Sequence, residues 1–179
     1  MIILVLGGAR AGKSSFALRL AEKHRASGSA AFIATAQALD DDMAHRIARH
    51  REERSPDWTT VEEPYQLDQA LLQTASSSVV VVDCLTLFVS NWMMREPDEA
   101  KCEAILREIS ERFLSTARAN TVICVSNEVG LGVVPGTSMG RGFRDLLGRV
   151  NQQFAEAAAE VYLLVAGIPM RIKPSGAEL

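Results

Sequence analysis

The chain has 179 residues, of which 47% are hydrophobic and 23% charged, a composition typical of one globular domain. Its formal net charge of −3 lacks the broad positive field that non-specific nucleic-acid binding needs, so we expect no nucleic-acid partner. The cysteines, Cys84, Cys102 and Cys124, lie far apart and form no C-x-x-C pair, which argues against a zinc site and a disulfide framework. Reduced thiols of this kind indicate a cytoplasmic protein.

No segment has the pattern of a membrane helix or a signal peptide. The longest apolar stretch, Val79 to Val89, is interrupted by Asp83 and is far shorter than the roughly 20 residues that a membrane span needs. The first apolar run, Ile2–Leu6, has no basic leader. The sequence therefore predicts a protein without a membrane segment.

Short apolar runs alternate with helical patterns along the chain. The strongest strand candidates are Ile2–Leu6, Ala31–Thr35, Val79–Val82, Thr121–Ser126 and Val161–Val165, with weaker ones at Trp58–Val61 and Pro169–Lys173. The helical patterns cover Lys13–Ser27, Asp40–Arg54, Tyr65–Ala75, Glu99–Ala119 and Phe143–Ala159, and Trp92–Asp98 is expected to be a loop. Continuous apolar strands that alternate with helices predict an α/β fold with a mainly parallel sheet and right-handed crossovers.

The first strand leads directly into a phosphate-binding motif. G-x-x-x-x-G-K-S is formed by Gly7, Gly8, Ala9, Arg10, Ala11, Gly12, Lys13 and Ser14, and a helical pattern follows it, which is the context that a P-loop requires. Gly7 and Gly12 allow the backbone N–H groups to face the phosphates. Lys13 is expected to reach the β- and γ-phosphates, and Ser14 to ligate Mg²⁺. We therefore predict a nucleoside triphosphate site.

A carboxylate at the end of a later strand completes this prediction. Val79–Val82 is a hydrophobic strand that ends in Asp83, and ligands gather at the carboxyl ends of strands in open α/β sheets. We expect Asp83 to act near the Mg²⁺, although a carboxylate that caps the next helix would give the same pattern. Asn127 is followed by Glu128 rather than completing N-K-x-D, so a Ras-like switch is not expected.

The helix predicted over Asp40–Arg54 is strongly basic and carries a candidate nucleophile. Met43, Ile47, His50 and Arg54 share one face, whereas His45 points away from it. The basic residues of its carboxyl half are Arg46, Arg49, Arg51 and Arg54. Nearby cations disfavour the imidazolium, so a neutral His50 can attack a phosphate that the arginines hold. The residues alone also allow a structural histidine on a solvated basic helix.

Eight stretches together resemble one known family. They are I-L-V-L-G-G-A-R-A-G-K-S at 3–14, F-I-A-T-A-Q-A-L-D-D-D-M at 32–43, R-I-A-R-H-R-E-E-R at 46–54, W-T-T-V-E at 58–62, D-C-L-T at 83–86, S-N-E-V-G-L-G-V-V-P at 126–135, F-R-D at 143–145 and G-R-V-N-Q at 148–152. The sequence resembles the bifunctional adenosylcobinamide kinases / adenosylcobinamide-phosphate guanylyltransferases of cobalamin biosynthesis. The resemblance implies a single catalytic domain over residues 1–174, with a tail over 175–179.

The resemblance also implies chemistry and site residues. Such enzymes phosphorylate adenosylcobinamide with ATP or GTP, then move GMP from GTP through a histidine to adenosylcobinamide phosphate, giving adenosylcobinamide-GDP. That histidine falls on His50. The nucleotide contacts fall on Gly7–Ser14, Ala34, Thr35, Ala36, Arg51, Glu52, Glu53, Arg54, Glu62 and Asp83. A RecA-like P-loop NTPase fold, with helices on both faces of the sheet, and a homotrimer are implied as well.

Three alternatives remain from the sequence. A P-loop kinase for a small molecule, with a single activity, would keep the phosphate site but give His50 no chemistry. A nucleotide-dependent RecA-like assembly module would bind nucleic acid or a partner protein. A regulatory nucleotide sensor would bind the nucleotide and form no product from cobinamide. The segment at Asn127–Gly130 is either a tight turn or a substrate loop in which Glu128 orients the acceptor hydroxyl.

Overall fold

The computed structural model describes residues 1–25, 27–38, 41–52, 55–117 and 120–174, without the side chains of Asp42, Arg46, Arg49, His50 and Glu52. The strands are β1 (Ile2–Gly7), β2 (Ala30–Ala34), β3 (Thr59–Glu62), β4 (Val79–Asp83), β5 (Thr121–Val125), β6 (Glu160–Val165) and β7 (Ile168–Lys173). The helices are α1 (Lys13–Arg25), α2 (Asp41–Glu52), α3 (Leu67–Gln73), α4 (Leu85–Arg95), α5 (Glu99–Thr116) and α6 (Ser138–Ala157).

The strands form one seven-stranded sheet in the order β3-β2-β4-β5-β1-β6-β7. The neighbouring pairs are parallel apart from β6 and β7, which are antiparallel. The predicted mainly parallel sheet and both of the weaker strands, β3 and β7, are confirmed. Strand β5 lies between β1, which leads into the P-loop, and β4, which ends in Asp83.

Helices cover both faces of the sheet, as predicted. Ala17 and Ala21 of α1 pack with Ile3 and Val5 on one face. On the other face Leu4 belongs to a core that α3, α4, α5 and α6 complete. Because alternate residues of a strand point to opposite faces, burial on both sides explains the continuous apolar runs. Within the described ranges, no helix is both long enough and apolar enough to cross a membrane.

The loop predicted over Trp92–Asp98 is wrong for its first half, because helix α4 extends to Arg95. The apolar run that forms β4 continues into this helix, and periodicity alone does not separate a buried strand from a buried helix. Phe88 and Trp92 are buried on one face of α4, and Trp92 Nε1 donates to Tyr65 O (3.0 Å). The loop is limited to residues 96–98, where the Asp98 side chain accepts from Lys101 N at the start of α5.

Candidate active site

The P-loop joins β1 to α1 with a backbone that glycine permits. Gly7 has φ of 152° and Gly12 has φ of 85°, and both lie in the region that side chains disfavour. Lys13 begins α1 and is 8% exposed, and its Nζ donates to Gly8 O (2.6 Å). The ammonium therefore lies against the loop, next to a helix N-terminus whose N–H groups attract anions.

The electrostatics of Lys13 connect the P-loop to strand β4. Burial lowers the pKa of Lys13 from its usual value, whereas the neighbouring Cys84 and Asp83 raise it. Asp83 is thus close enough to interact with the ammonium, although β5 separates the two parent strands. The structure brings together the cation and the carboxylate that the sequence assigned to the phosphate site.

Three of the predicted nucleotide contacts stand in one row at the carboxyl edge of the sheet. Ala34 of β2 pairs with Glu62 of β3 on one side and with Asp83 of β4 on the other. Asp83 in turn pairs with Val125 of β5. Parallel strands end at the same edge, which is the position of ligand sites in open α/β sheets. The P-loop follows β1 at this same edge.

Thr35 fixes the corner beside Asp83. Its side chain is fully buried, and its Oγ1 accepts from Cys84 N (2.7 Å) and donates to Cys84 O (2.8 Å). Asn91 Nδ2 donates to Thr35 O (2.8 Å). These bonds join the end of β2 to the turn between β4 and α4. Thr35 therefore fixes the backbone next to Asp83. Ala34 and Ala36 are its neighbours in the sequence.

One ion pair holds helix α2 at the carboxyl edge of the sheet. Arg51 Nη2 donates to Glu62 Oε1, which joins α2 to the last residue of β3. His50 and Glu52 belong to the backbone of α2, but their side chains lie outside the description, as do Glu53 and Arg54 entirely. The ion pair places the stretch of α2 that contains His50 next to the carboxyl end of β3.

A buried polar network supports the loop after β5. Ser126 Oγ donates to Asn151 Oδ1 (2.6 Å), and Asn151 Nδ2 donates to Asn127 O (3.0 Å). Asn127 N donates to Thr86 Oγ1 (2.8 Å). Asn151 and Thr86 had no role in the sequence prediction. The sequence contained only a weak indication of their role, which is that each is a polar residue on a helix face that is otherwise apolar.

Replacing Asn151 with alanine should destabilise the protein. The change leaves the fully buried Ser126 hydroxyl without its acceptor, and an unsatisfied buried polar group costs about 1–3 kcal/mol. Urea unfolding measures the loss. Gln152→Ala, at an exposed neighbour in the same helix, should change the free energy of unfolding by less than about 0.5 kcal/mol. Equal effects of the two substitutions would show that the network adds no stability.

Gly7→Ala should destabilise the protein more than Gly8→Ala. A Cβ at Gly7 would lie 2.6 Å from Leu164 O, a backbone atom that cannot rotate away, whereas a Cβ at Gly8 meets no atom within 4 Å. Overpacking of this kind costs about 1–3 kcal/mol. Chemical denaturation of the two variants makes the comparison. A Gly7 variant as stable as the Gly8 variant would contradict the close packing of the P-loop on β6.

The donor set at this edge suits Mg²⁺. Ser14 offers a hydroxyl in the first turn of α1, and Asp83 offers a half-buried carboxylate close to Lys13. Mg²⁺ prefers oxygen ligands and usually takes one or two from the protein and the rest from phosphates and water. In the described chain no cluster of three or more His, Cys, Asp or Glu residues has the geometry of a metal cage. Ser14 and Asp83 match an ion that is shared with a nucleotide.

Comparison with known proteins identifies the family. The family model described as cobinamide kinase / cobinamide phosphate guanyltransferase matches residues 3–172. The chain belongs to this family. As a family member it is a cobinamide kinase and cobinamide phosphate guanylyltransferase of cobalamin biosynthesis, as the resemblance implied, and a kinase with a single activity is not favoured.

Curated relatives of the cobinamide kinase / guanylyltransferase family match over almost their whole length. The chain is 43% identical to the bifunctional adenosylcobalamin biosynthesis protein CobU of Escherichia coli K12, with 97% of this chain and 100% of the relative covered. It is 42% identical to the bifunctional protein CobP of Pseudomonas aeruginosa, with 95% and 96% covered. The CobU protein of Salmonella typhimurium is 38% identical, with 97% and 100% covered.

A solved structure confirms the fold class. This structure, an ATPase domain, superposes with a TM-score of 0.54 at 15% sequence identity, covering 92% of this chain and 69% of that one. At this identity the likeness concerns the fold alone. Together with the P-loop after β1 and the parallel sheet, it confirms the predicted RecA-like P-loop NTPase architecture of this cobinamide kinase / guanylyltransferase.

Proposed function

We propose that both reactions of this enzyme use one nucleotide site at the carboxyl edge of the sheet, and that His50 carries GMP between them. The observation that carries the proposal is the convergence of two elements on one edge. Lys13 lies on the P-loop close to Asp83, and the Arg51–Glu62 pair fixes α2 beside the neighbouring strand ends. A nucleotide that lies along this edge of the sheet would extend from the phosphate site toward the helix of the nucleophile.

In the kinase step the P-loop and Lys13 hold the triphosphate while its γ-phosphoryl group moves to the acceptor hydroxyl. Such transfers depend on positioning and on stabilisation of charge at the phosphoryl oxygens. Gly7–Gly12 provides backbone N–H groups, and the Lys13 ammonium neutralises charge on the β- and γ-phosphates. Mg²⁺, which Ser14 and Asp83 would hold, supplies further charge neutralisation when bound.

In the guanylyl step the neutral imidazole of His50 attacks the α-phosphorus of GTP. An N–P bond forms, the bond from the α-phosphorus to the bridging oxygen breaks, and pyrophosphate leaves. A phosphate oxygen of the cobinamide phosphate then attacks the same phosphorus and releases His50. Because the first reaction occurs at the γ-phosphate and the second at the α-phosphate, α2 or the nucleotide must move between the steps.

We assign the remaining predicted contacts to the nucleotide around these centres. Glu62 lies in the exposed row next to Ala34 and suits a ribose hydroxyl. Arg51, Glu52, Glu53 and Arg54, which follow His50 in the sequence, are assigned to the phosphates. Thr35 acts by holding the corner beside Asp83. Residues 1–174 form one catalytic domain in this proposal, and the enzyme works in the cytoplasm as a homotrimer.

The test is incubation with GTP that is labelled at the α-phosphate, followed by denaturation and gel separation. We expect a covalent label that is stable to alkali and lost in acid, as phosphoramidates are, and no label from GTP that is labelled at the γ-phosphate. Site mapping should place the label on His50. Absence of label from a folded protein that still binds Mg-GTP would contradict the guanylyl-histidine.

A further inference from the structure

We infer that Glu128 is the base of the kinase step, the group that accepts the proton of the acceptor hydroxyl. This inference rests on the proposed nucleotide site and adds to it the acceptor side, which neither the P-loop nor α2 explains. The sequence allowed two roles for Glu128: a residue of a tight turn, or a residue that orients the acceptor hydroxyl. Its contacts in the structure favour a catalytic role.

The loop that carries Glu128 lies alongside the P-loop. The parallel pairing of β5 with β1 continues past the strands, because Ser126 N donates to Val5 O (2.9 Å) and Glu128 N donates to Gly7 O (3.1 Å). Lys13 Nζ contacts Gly8 O, the next carbonyl along. Glu128 and Lys13 therefore contact consecutive carbonyls of the P-loop. This places Glu128 beside the residues that hold the γ-phosphate.

The Glu128 carboxylate has a fixed position and retains capacity to accept a proton. Gly130 N donates to Glu128 Oε1 (2.7 Å), and the side chain is half-buried. A Cβ at residue 130 would lie 2.9 Å from this oxygen, so the small size of Gly130 permits the contact. A carboxylate has about four acceptor positions, and one backbone bond orients it without using them all.

Other carboxylates described at this edge have different partners. Glu62 pairs with Arg51, and Asp83 interacts with Lys13. Glu63 Oε1 accepts from two backbone amides, Tyr65 N (2.8 Å) and Gln66 N (3.0 Å), at the start of α3. Cys84, which follows Asp83, is a poor base because burial raises the pKa of its thiol to about 12. Glu128 is the carboxylate on the loop that contacts the P-loop directly.

The segment after Glu128 gives the acceptor a place to lie. Leu131, Val133 and Val134 are 83%, 95% and 61% exposed, an unusual concentration of apolar side chains beside a catalytic edge. The cobinamide acceptor is large and has apolar faces, and its hydroxyl must reach the γ-phosphate. In this inference the acceptor lies against this segment, and its hydroxyl reaches Glu128.

The hydroxyl proton moves to a Glu128 oxygen while the hydroxyl oxygen bonds to the γ-phosphorus. The bond from that phosphorus to the bridging oxygen breaks, which releases the nucleoside diphosphate, and Glu128 later returns its proton to water. General-base assistance of this kind contributes about 10²–10⁴-fold. The guanylylation of His50 involves no acceptor hydroxyl and does not need this base.

Glu128→Gln tests the inference. We expect the kinase kcat with cobinamide to fall by about 10²-fold or more, with the Kd for Mg-GTP and the rate of labelling from α-labelled GTP within about twofold of the unaltered enzyme. Glu111→Gln is the matched control, because Glu111 is an exposed carboxylate of α5 near Met1, at the opposite edge of the sheet. It should leave both activities unchanged.

Chemical rescue of Glu128→Ala by formate distinguishes a base from a structural residue, because formate would not restore the kinase rate if Glu128 only supported the loop. Formate can occupy the vacated space and accept the proton, so we expect the kinase rate of this variant to rise severalfold with formate, and that of Glu128→Gln to stay constant. Unchanged kinase kcat in Glu128→Gln, equal loss of kinase and labelling, or no response to formate would overturn the inference. A failure of the unaltered enzyme to become labelled would instead contradict the guanylyl-histidine. The kinase kcat of Glu128→Gln, compared with that of the unaltered enzyme, would still test the role of Glu128.

Discussion

His50→Ala should abolish guanylyl transfer and leave most of the kinase activity. Removal of a covalent nucleophile takes away the intermediate itself, so we expect guanylylation to fall at least about 10⁴-fold. The kinase step needs the γ-phosphate, the P-loop and the acceptor, and none of these requires an imidazole. Transfer of label from α-labelled GTP to protein measures the first activity, and formation of cobinamide phosphate measures the second.

His45→Ala is the matched control for this prediction. His45 belongs to the same helix, is exposed, and lies off the face that the sequence pattern assigns to His50. It should retain both activities. Loss of kinase and guanylyl transfer together in a folded His50 variant would show that His50 supports α2 and the nucleotide site rather than carrying GMP. Labelling of the His50 variant at normal rate would assign the nucleophile elsewhere.

Lys13→Ala should impair both activities together, because in the proposed mechanism both reactions use one triphosphate site. A fixed cation or donor aimed at developing charge is typically worth about 10²–10³-fold in kcat, and Lys13 also contributes to binding of the β- and γ-phosphates. Burial lowers the pKa of Lys13, and a bound triphosphate would oppose this effect because it places negative charge beside the ammonium. Calorimetric titration with Mg-GTP and assays of the two reactions measure the effect.

Two further variants separate charge from packing at Lys13. Lys13→Met keeps most of the buried stem of the side chain and should show the same loss of activity as alanine while remaining folded by circular dichroism. Lys23→Ala removes an exposed cation from the last turn of α1 and should leave nucleotide affinity unchanged. Normal affinity for Mg-GTP in Lys13→Met would contradict the assignment of the phosphate site.

The sequence predicted well those features that depend on residues close together in the chain. The P-loop is such a feature, since Gly7, Gly12 and Lys13 belong to one contiguous motif after a strand. The strands were also predictable, because short apolar runs rich in Val and Ile are typical of strands that are buried on both faces. Helix α4 was missed, because the apolar run of β4 resumes directly after Asp83 and periodicity alone does not separate a buried strand from a buried helix.

Contacts between distant segments could not be predicted in this way. The sequence pointed to Asp83 as an acid after a strand, but not to β5 as the strand between it and the P-loop. It suggested Arg51 and Glu62 as separate nucleotide contacts, whereas the structure pairs them and thereby joins α2 to β3. The bonds of Asn151 to Ser126 and Asn127 span 25 and 24 residues.

The sequence alone therefore determined the chemistry that is available: a phosphate-binding loop, an acid at a strand end and a histidine in a basic helix. Each is encoded by local propensity and spacing, which act within a few residues of the chain. Only the tertiary structure decided which of these groups meet. Strand order and helix packing place residues at one sheet edge from segments more than 100 positions apart, as when Glu128 N bonds to Gly7 O.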